Sequence, residues 1–86
     1  MKLSDEILEL WDDLLQQLPL PVRDSVRSGA EQRADERADD NGGRLSLEDG
    51  VRAFIESVPI ELRANLGRTL NLHGLDLSDF DDALDD

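Results

Sequence analysis

"DDNGGRLSLEDG", residues 39–50, is the stretch on which the reading of this chain turns. It places acidic residues before a double glycine, then a leucine, a serine and a glutamate. That order fits either a calcium-binding loop or a hinge between two helices. A calcium loop needs oxygen ligands at its positions 1, 3, 5 and 12, glycine at 6 and an apolar residue at 8. With Gly43 at position 6, Leu45 and Asp49 fall correctly, but Ala38 and Gly42 occupy two ligand positions. With Gly42 at position 6, Asp39, Asn41 and Glu48 fall well, but Arg37 takes the leading ligand position and Arg44 the apolar one. An arginine at the first ligand position opposes a divalent cation, so no metal ligand is assigned. The hinge reading needs no such exception. Gly42 and Gly43 supply the left-handed backbone that ends a helix. Ser46 is placed to cap the next one, with Asp49 three residues on as an aspartate version of the capping box.

Working outward, the segment before the hinge is expected to be a long helix over about 22–40. Val22, Val26, Ala30, Ala34 and Ala38 recur every four residues as a narrow stripe of small side chains, which lets a neighbouring helix come close. Of its ion pairs, Arg27 with Glu31 has the helical four-residue spacing. After the hinge, Leu47, Val51, Phe54, Ile55 and Val58 mark the apolar face of a third helix, in which Gly50 is expected to permit close packing. At the start of the chain, Ser4 caps a helix with Ile7, Leu8, Trp11, Leu14, Leu15 and Leu18 on its apolar face. "LPLP" (18–21) ends that helix, and Pro21 is expected at the first position of the next one. Pro59 opens a fourth helix bearing Leu62, Leu66 and Leu70, stopped by "NLHG" (71–74), where His73 faces the helix dipole. Asp76 then caps a short last helix, Leu75 and Phe80 form a hydrophobic staple across its start, and "DDALDD" frays. The expectation is an all-α fold, a small bundle of four to five short helices forming a single domain over 1–86.

Two stretches read alike. "LPLPVRDSV" (18–26) and "VPIELRANL" (58–66) share a proline, Pro19 or Pro59, followed four residues later by an arginine, Arg23 or Arg63. Residues 58–86 are therefore a candidate degenerate second copy of the first half. From spacing alone each arginine is equally a surface ion-pair partner or a ligand contact.

Composition limits the chemistry. With no cysteine, disulfides, thiolate metal sites and thiol catalysis are excluded. One histidine cannot build a histidine cluster, there is no Gly-rich phosphate loop or nucleophile elbow, and no catalytic residue or cofactor is assigned. Trp11 is a candidate partner anchor or, on its apolar face, a core residue. No apolar run reaches membrane-spanning length, and the start of the chain carries no leader-like segment, so a soluble cytoplasmic protein is expected. Twenty-one acidic residues against nine basic ones give a net charge of −12, which repels nucleic-acid backbones. Arginine replaces lysine almost throughout and aspartate outnumbers glutamate, a balance that resembles the proteins of salt-in halophiles.

The stretch "LLQQLPLPVRDSVRSGAEQRADERADDNGGRLSLEDGVRAF" (14–54) carries Leu15, Leu18, Pro19, Val22, Arg23, Arg27, Glu31, Ala34, Gly42 or Gly43, Leu45, Ser46, Glu48 and Ala53. In that order they resemble the small helical domain at the C-terminus of the B subunit of light-independent protochlorophyllide reductase, which also occurs in free-standing small proteins. Trp11 stands closer to the proline than the family's tryptophan, and the second helix runs about one turn longer. The resemblance implies a helical accessory or interaction module whose partner is another protein. It implies no redox chemistry in this chain, because the parent enzyme's iron–sulfur clusters are held by cysteines elsewhere in the complex. The competing expectations are an acidic docking or nucleic-acid-mimicking protein that binds a basic partner, and a calcium-binding helix–loop–helix protein.

Overall fold

The structure, a computed structural model, describes residues 3–80. Five α-helices follow in order: α1 (Asp5–Leu15), α2 (Leu20–Asp40), α3 (Leu47–Ser57), α4 (Ile60–Arg63) and α5 (Gly67–Leu72). A 3₁₀ turn, Ala64–Leu66, joins α4 to α5, and a second, Leu77–Phe80, follows α5. The all-α expectation holds, and no strand occurs among the described residues. The Cα radius of gyration is 11.8 Å, against roughly 12 Å for a compact chain of this length. The helices therefore close on one core. The "DDALDD" tail lies outside the described residues.

The hinge forms as two caps back to back. Gly42 and Gly43 take φ of 71° and 89°. The Gly43 amide donates to the Ala38 carbonyl at 2.6 Å and the Gly42 amide to Asp39 at 3.3 Å, which is a Schellman motif. The Ser46 hydroxyl then accepts from the Asp49 amide at 3.1 Å and starts α3. The reciprocal half of the capping box is not made. The Asp49 carboxylate turns to Asn41 Nδ2 at 3.2 Å and to the Arg37 guanidinium at 3.6 Å, tying the end of α2 to the start of α3. The same stop recurs after α5, where Gly74 has φ 78° and the Leu75 amide donates to Leu70 at 2.8 Å.

Helices α2 and α3 lie side by side because the facing residues are small. Ala30, Ala34 and Ala38 are fully buried with Val26, while Val22 is only half-buried. A Cβ added at Gly29 would stand 3.1 Å from Ser57 Oγ, so the two backbones are close at that point. Helix α1 crosses α3 at another glycine. A Cβ at Gly50 would meet the Ile7 side chain at 3.2–3.4 Å. The bare backbone at Gly50 also exposes its carbonyl to Trp11, whose Nε1 donates to it at 3.0 Å. Trp11 is 2% exposed and tilts against Phe54, with ring centroids 6.0 Å apart. Of its two candidate roles, the structure gives it the core position.

Four local expectations are corrected. In α1, Leu10 is buried with Ile7, Trp11, Leu14 and Leu15, whereas Leu8 is half-exposed and stands outside the packed core. Leu8 and Leu10 sit on opposite flanks of the apolar face, and only contact with the neighbouring helices separates them. Pro21 occupies the second helical position of α2, because Pro19 is its N-cap; Pro59 likewise is the N-cap of α4, one place before the helix it opens. The expected fourth helix is broken into α4, a 3₁₀ turn and α5, the tightening falling beside Asn65 and Gly67, both poor helix formers. Leu66 and Leu70 are buried across this break, so burial overrides helical regularity. Finally, Asp76 caps a 3₁₀ turn rather than an α-helix: its carboxylate accepts from the Ser78 amide at 3.0 Å. That bond, with a second from the Ser78 side chain, holds the Asp76 carboxyl below its ordinary range. The following Phe80 is buried, with the Arg52 guanidinium 5.4 Å over its ring.

Candidate functional site

The two proline bends are built alike. At the first, Arg23 reaches back over Pro19, its Nε donating to the Leu18 carbonyl at 2.9 Å and its Nη2 to Gln16 at 3.3 Å. At the second, Arg63 Nε donates to Val58 at 2.9 Å and Nη2 to Glu56 at 3.3 Å. Each guanidinium fork thus clasps two carbonyls that the end of the preceding helix leaves without an intrahelical partner, where the dipole also favours a cation. Proline explains the need: it ends the helix and forces the residue before it into extended backbone. The clasp closes the gap. Leu20 and Ile60, each directly after its proline, are both exposed. Spacing left these arginines open between ion pairs and ligand contacts. Through these four bonds they act as backbone clasps, and Arg63 is the one buried charged side chain among the described residues.

Of the other arginines, Arg27, Arg37 and Arg52 pair with the chain's own acids, while Arg33, Arg44 and Arg68 are exposed. Arg27 pairs with Glu31 at 3.3 Å, as its spacing required, and approaches Asp12 of α1 at 4.0 Å. Arg37 pairs with Glu56 of α3 at 2.8 Å as well as with Asp49. Arg52 pairs with Glu48 at 3.7 Å. His73 closes α5, but its ring is directed across to α1 rather than along its own helix axis: Nε2 lies 2.7 Å from Asp13 Oδ2. No spacing rule could have found that pair, whose members are 60 residues apart.

Between α1 and α2 runs an open groove of about 730 Å³. Leu3 and Leu8 supply its apolar surface, and Asp5, Glu31 and Asp35 its carboxylates. Ser28 and Gln32 complete the lining. Of these residues the sequence singled out only Glu31. Leu8 read as core. The structure does not bring the sequence-predicted residues into one site. Pro19 with Arg23 and Pro59 with Arg63 make the two bends, Gly42, Gly43 and Ser46 the hinge, and Trp11 the core.

No group of three or more His, Asp or Glu side chains suited to hold a metal occurs among the described residues. In the calcium-like stretch Asp49 is already engaged by Asn41 and Arg37. Among the described residues no helix is long and apolar enough to cross a membrane. Compared with known proteins, the chain matches no family model, no curated protein and no solved structure.

Proposed function

We propose that this chain is a non-catalytic helical interaction module that offers an acidic, salt-adapted surface to a basic protein partner in the cytoplasm. The observation that carries this reading is the direction in which the charges are spent. Arg23 and Arg63 bond backbone carbonyls, and Arg27, Arg37 and Arg52 bond the chain's own acids, which leaves Arg33, Arg44 and Arg68 as the arginines outside these contacts, all three exposed. All five acids of α1 and all six of α2 are exposed. What these two helices turn outward is therefore predominantly negative. The resemblance to the protochlorophyllide reductase C-terminal domain supports an accessory role, with its proline-to-arginine motif serving a bend.

The test is calorimetric titration of the full chain with polylysine and, as control, polyglutamate, over a salt series. Saturable polylysine binding that persists near physiological salt and weakens steeply above it supports the module. Binding confined to very low salt sinks it.

One observation favours a further role for the acidity. Helix α1 carries Asp5, Glu6, Glu9, Asp12 and Asp13 and no basic residue. Glu9 lies four residues from both Asp5 and Asp13, so like charges face each other along the helix. Added salt screens this repulsion, and thermal melts are expected to rise with salt. A flat or falling melting temperature removes the salt-adapted part of the reading.

A further inference from the structure

The chain has three asparagines, and only Asn41 is followed by glycine; Asn65 and Asn71 each precede a leucine. An asparagine before glycine loses its side-chain amide without an enzyme, because no side chain shields the next main-chain nitrogen. The structure leaves that approach open. Asn41 is exposed, and a Cβ placed on Gly42 would find nothing within 4 Å. The Gly42 amide, which is the attacking group, is held by a long 3.3 Å bond to the Asp39 carbonyl. Attack requires the Asn41 ψ of 24° to swing away, which opens the turn at the end of α2, a local event that leaves the core closed. Asn65 and Asn71 instead lie within helical turns, ahead of bulky side chains.

We propose that Asn41 and Gly42 form a site of spontaneous, one-way modification that unlocks the joint between α2 and α3. The Gly42 nitrogen gives its proton to solvent base and bonds to Asn41 Cγ. The Cγ–Nδ2 bond breaks, and the side-chain nitrogen takes up a proton from water and leaves as ammonia. Water then opens the resulting succinimide ring. Opening at Cγ leaves an aspartate at this position; opening at the main-chain carbonyl leaves isoaspartate, whose backbone is longer by a carbon. Asn41 Nδ2 is the donor that ties the end of α2 to Asp49 Oδ2 at 3.2 Å. Its loss replaces that hydrogen bond by two facing carboxylates. The new charge also stands at the negative end of the α2 dipole, next to Asp39 and Asp40. Isoaspartate further displaces the Gly42 and Gly43 amides from the Asp39 and Ala38 carbonyls that they bond.

In the experiment the folded full chain is incubated in mildly acidic and in mildly alkaline buffer, sampled over weeks and digested with trypsin. Cleavage after Arg37 and Arg44 releases residues 38–44, in which Asn41 is the only asparagine. That peptide is expected to gain about 1 Da and to split into two products, faster in the alkaline buffer, while the peptides carrying Asn65 and Asn71 keep their mass. A synthetic 38–44 peptide is expected to convert faster than the folded chain, since no turn has to open first. N41Q, whose longer side chain cyclises far more slowly, is expected to keep its mass. No gain in the folded chain over many half-lives of the free peptide overturns the site, as does equal conversion at Asn65 or Asn71, or a gain by N41Q at the native rate. The unlocking is read on N41D, which carries the new charge from the start. Its melting temperature is expected to fall by about 4–8 °C, with amide shift changes concentrated at residues 37–50. An N41D chain that melts with the native one overturns the unlocking.

Discussion

Arg23 and Arg63 form an internal controlled comparison, with the same two donors, matching bond lengths and different burial. Arg63 is 6% exposed and its bond to Val58 is buried, whereas Arg23 is half-exposed and its bond to Gln16 meets solvent. Truncating Arg63 to alanine leaves the Val58 carbonyl dry and without this donor, a penalty of about 1–3 kcal/mol. The packed aliphatic stem is lost as well, so the total is about 3 kcal/mol. Truncating Arg23 lets water reach the freed carbonyls, and the net worth of such bonds is then only about 1 kcal/mol. The difference of about 2 kcal/mol corresponds to roughly 8–16 °C in melting temperature for a domain of this size. Urea and thermal unfolding of R23A, R63A and R63K measure it. Lysine keeps the charge but not the fork, so R63K is expected to recover less than half of the loss. Equal melting temperatures for R23A and R63A would refute the burial argument. A wild-type value for R63K would show that charge at the helix end, not the clasp, holds the bend.

Trp11→Phe keeps most of the ring but removes the donor to the Gly50 carbonyl, and is expected to cost about 1–3 kcal/mol in chemical denaturation. Gly50→Ala gains helix propensity of about 1 kcal/mol but pushes a methyl into Ile7, so a net loss is expected, relieved in the double variant with Ile7→Ala, which removes all three facing atoms; a stabilised single variant would contradict the close crossing of α1 and α3. Gly42→Ala meets open space, so its expected loss of about 1 kcal/mol comes from the positive φ alone. Because the Asp76 carboxyl is held below its ordinary value by Ser78, the turn after α5 is stabilised above the usual aspartate range. That contribution is lost as pH falls through the lowered value. A carboxyl ¹³C titration of Asp76 with its midpoint at or above the ordinary aspartate value would disprove the cap.

The punctuation of this fold is legible in its sequence because the signals are local. Ser4 and Ser46 accept from amides three residues on, and Gly42 and Gly43 end the helix beside them. The alanine stripe of α2 is equally plain, since four-residue periodicity needs no knowledge of what lies opposite. What spacing could not reach was anything decided across helices. Leu8 and Leu10 differ in burial because α3 and α5 pack against α1, while Leu8 is left facing the open groove. The break between Arg63 and Gly67 answers to packing of Leu66 and Leu70. The groove was hidden for the same reason, since its carboxylates come from two helices and read singly as solvated charge. Arg23 and Arg63 lie between these cases. Their matching positions after proline were visible, but their acceptors are main-chain carbonyls, which carry no side-chain signal.

The clasps also bear on how quickly the chain finds its shape. Each joins residues only five and seven apart, so closing it sacrifices little chain entropy. Both bends can therefore be set while the helices are still independent, before Trp11 finds Gly50 across 39 residues or His73 finds Asp13. Local contacts that pre-aim later ones are the condition for rapid folding in small helical proteins. In this chain the direction of each return is written into one arginine per bend, and the slower step is left to the long-range docking of α1 on α3.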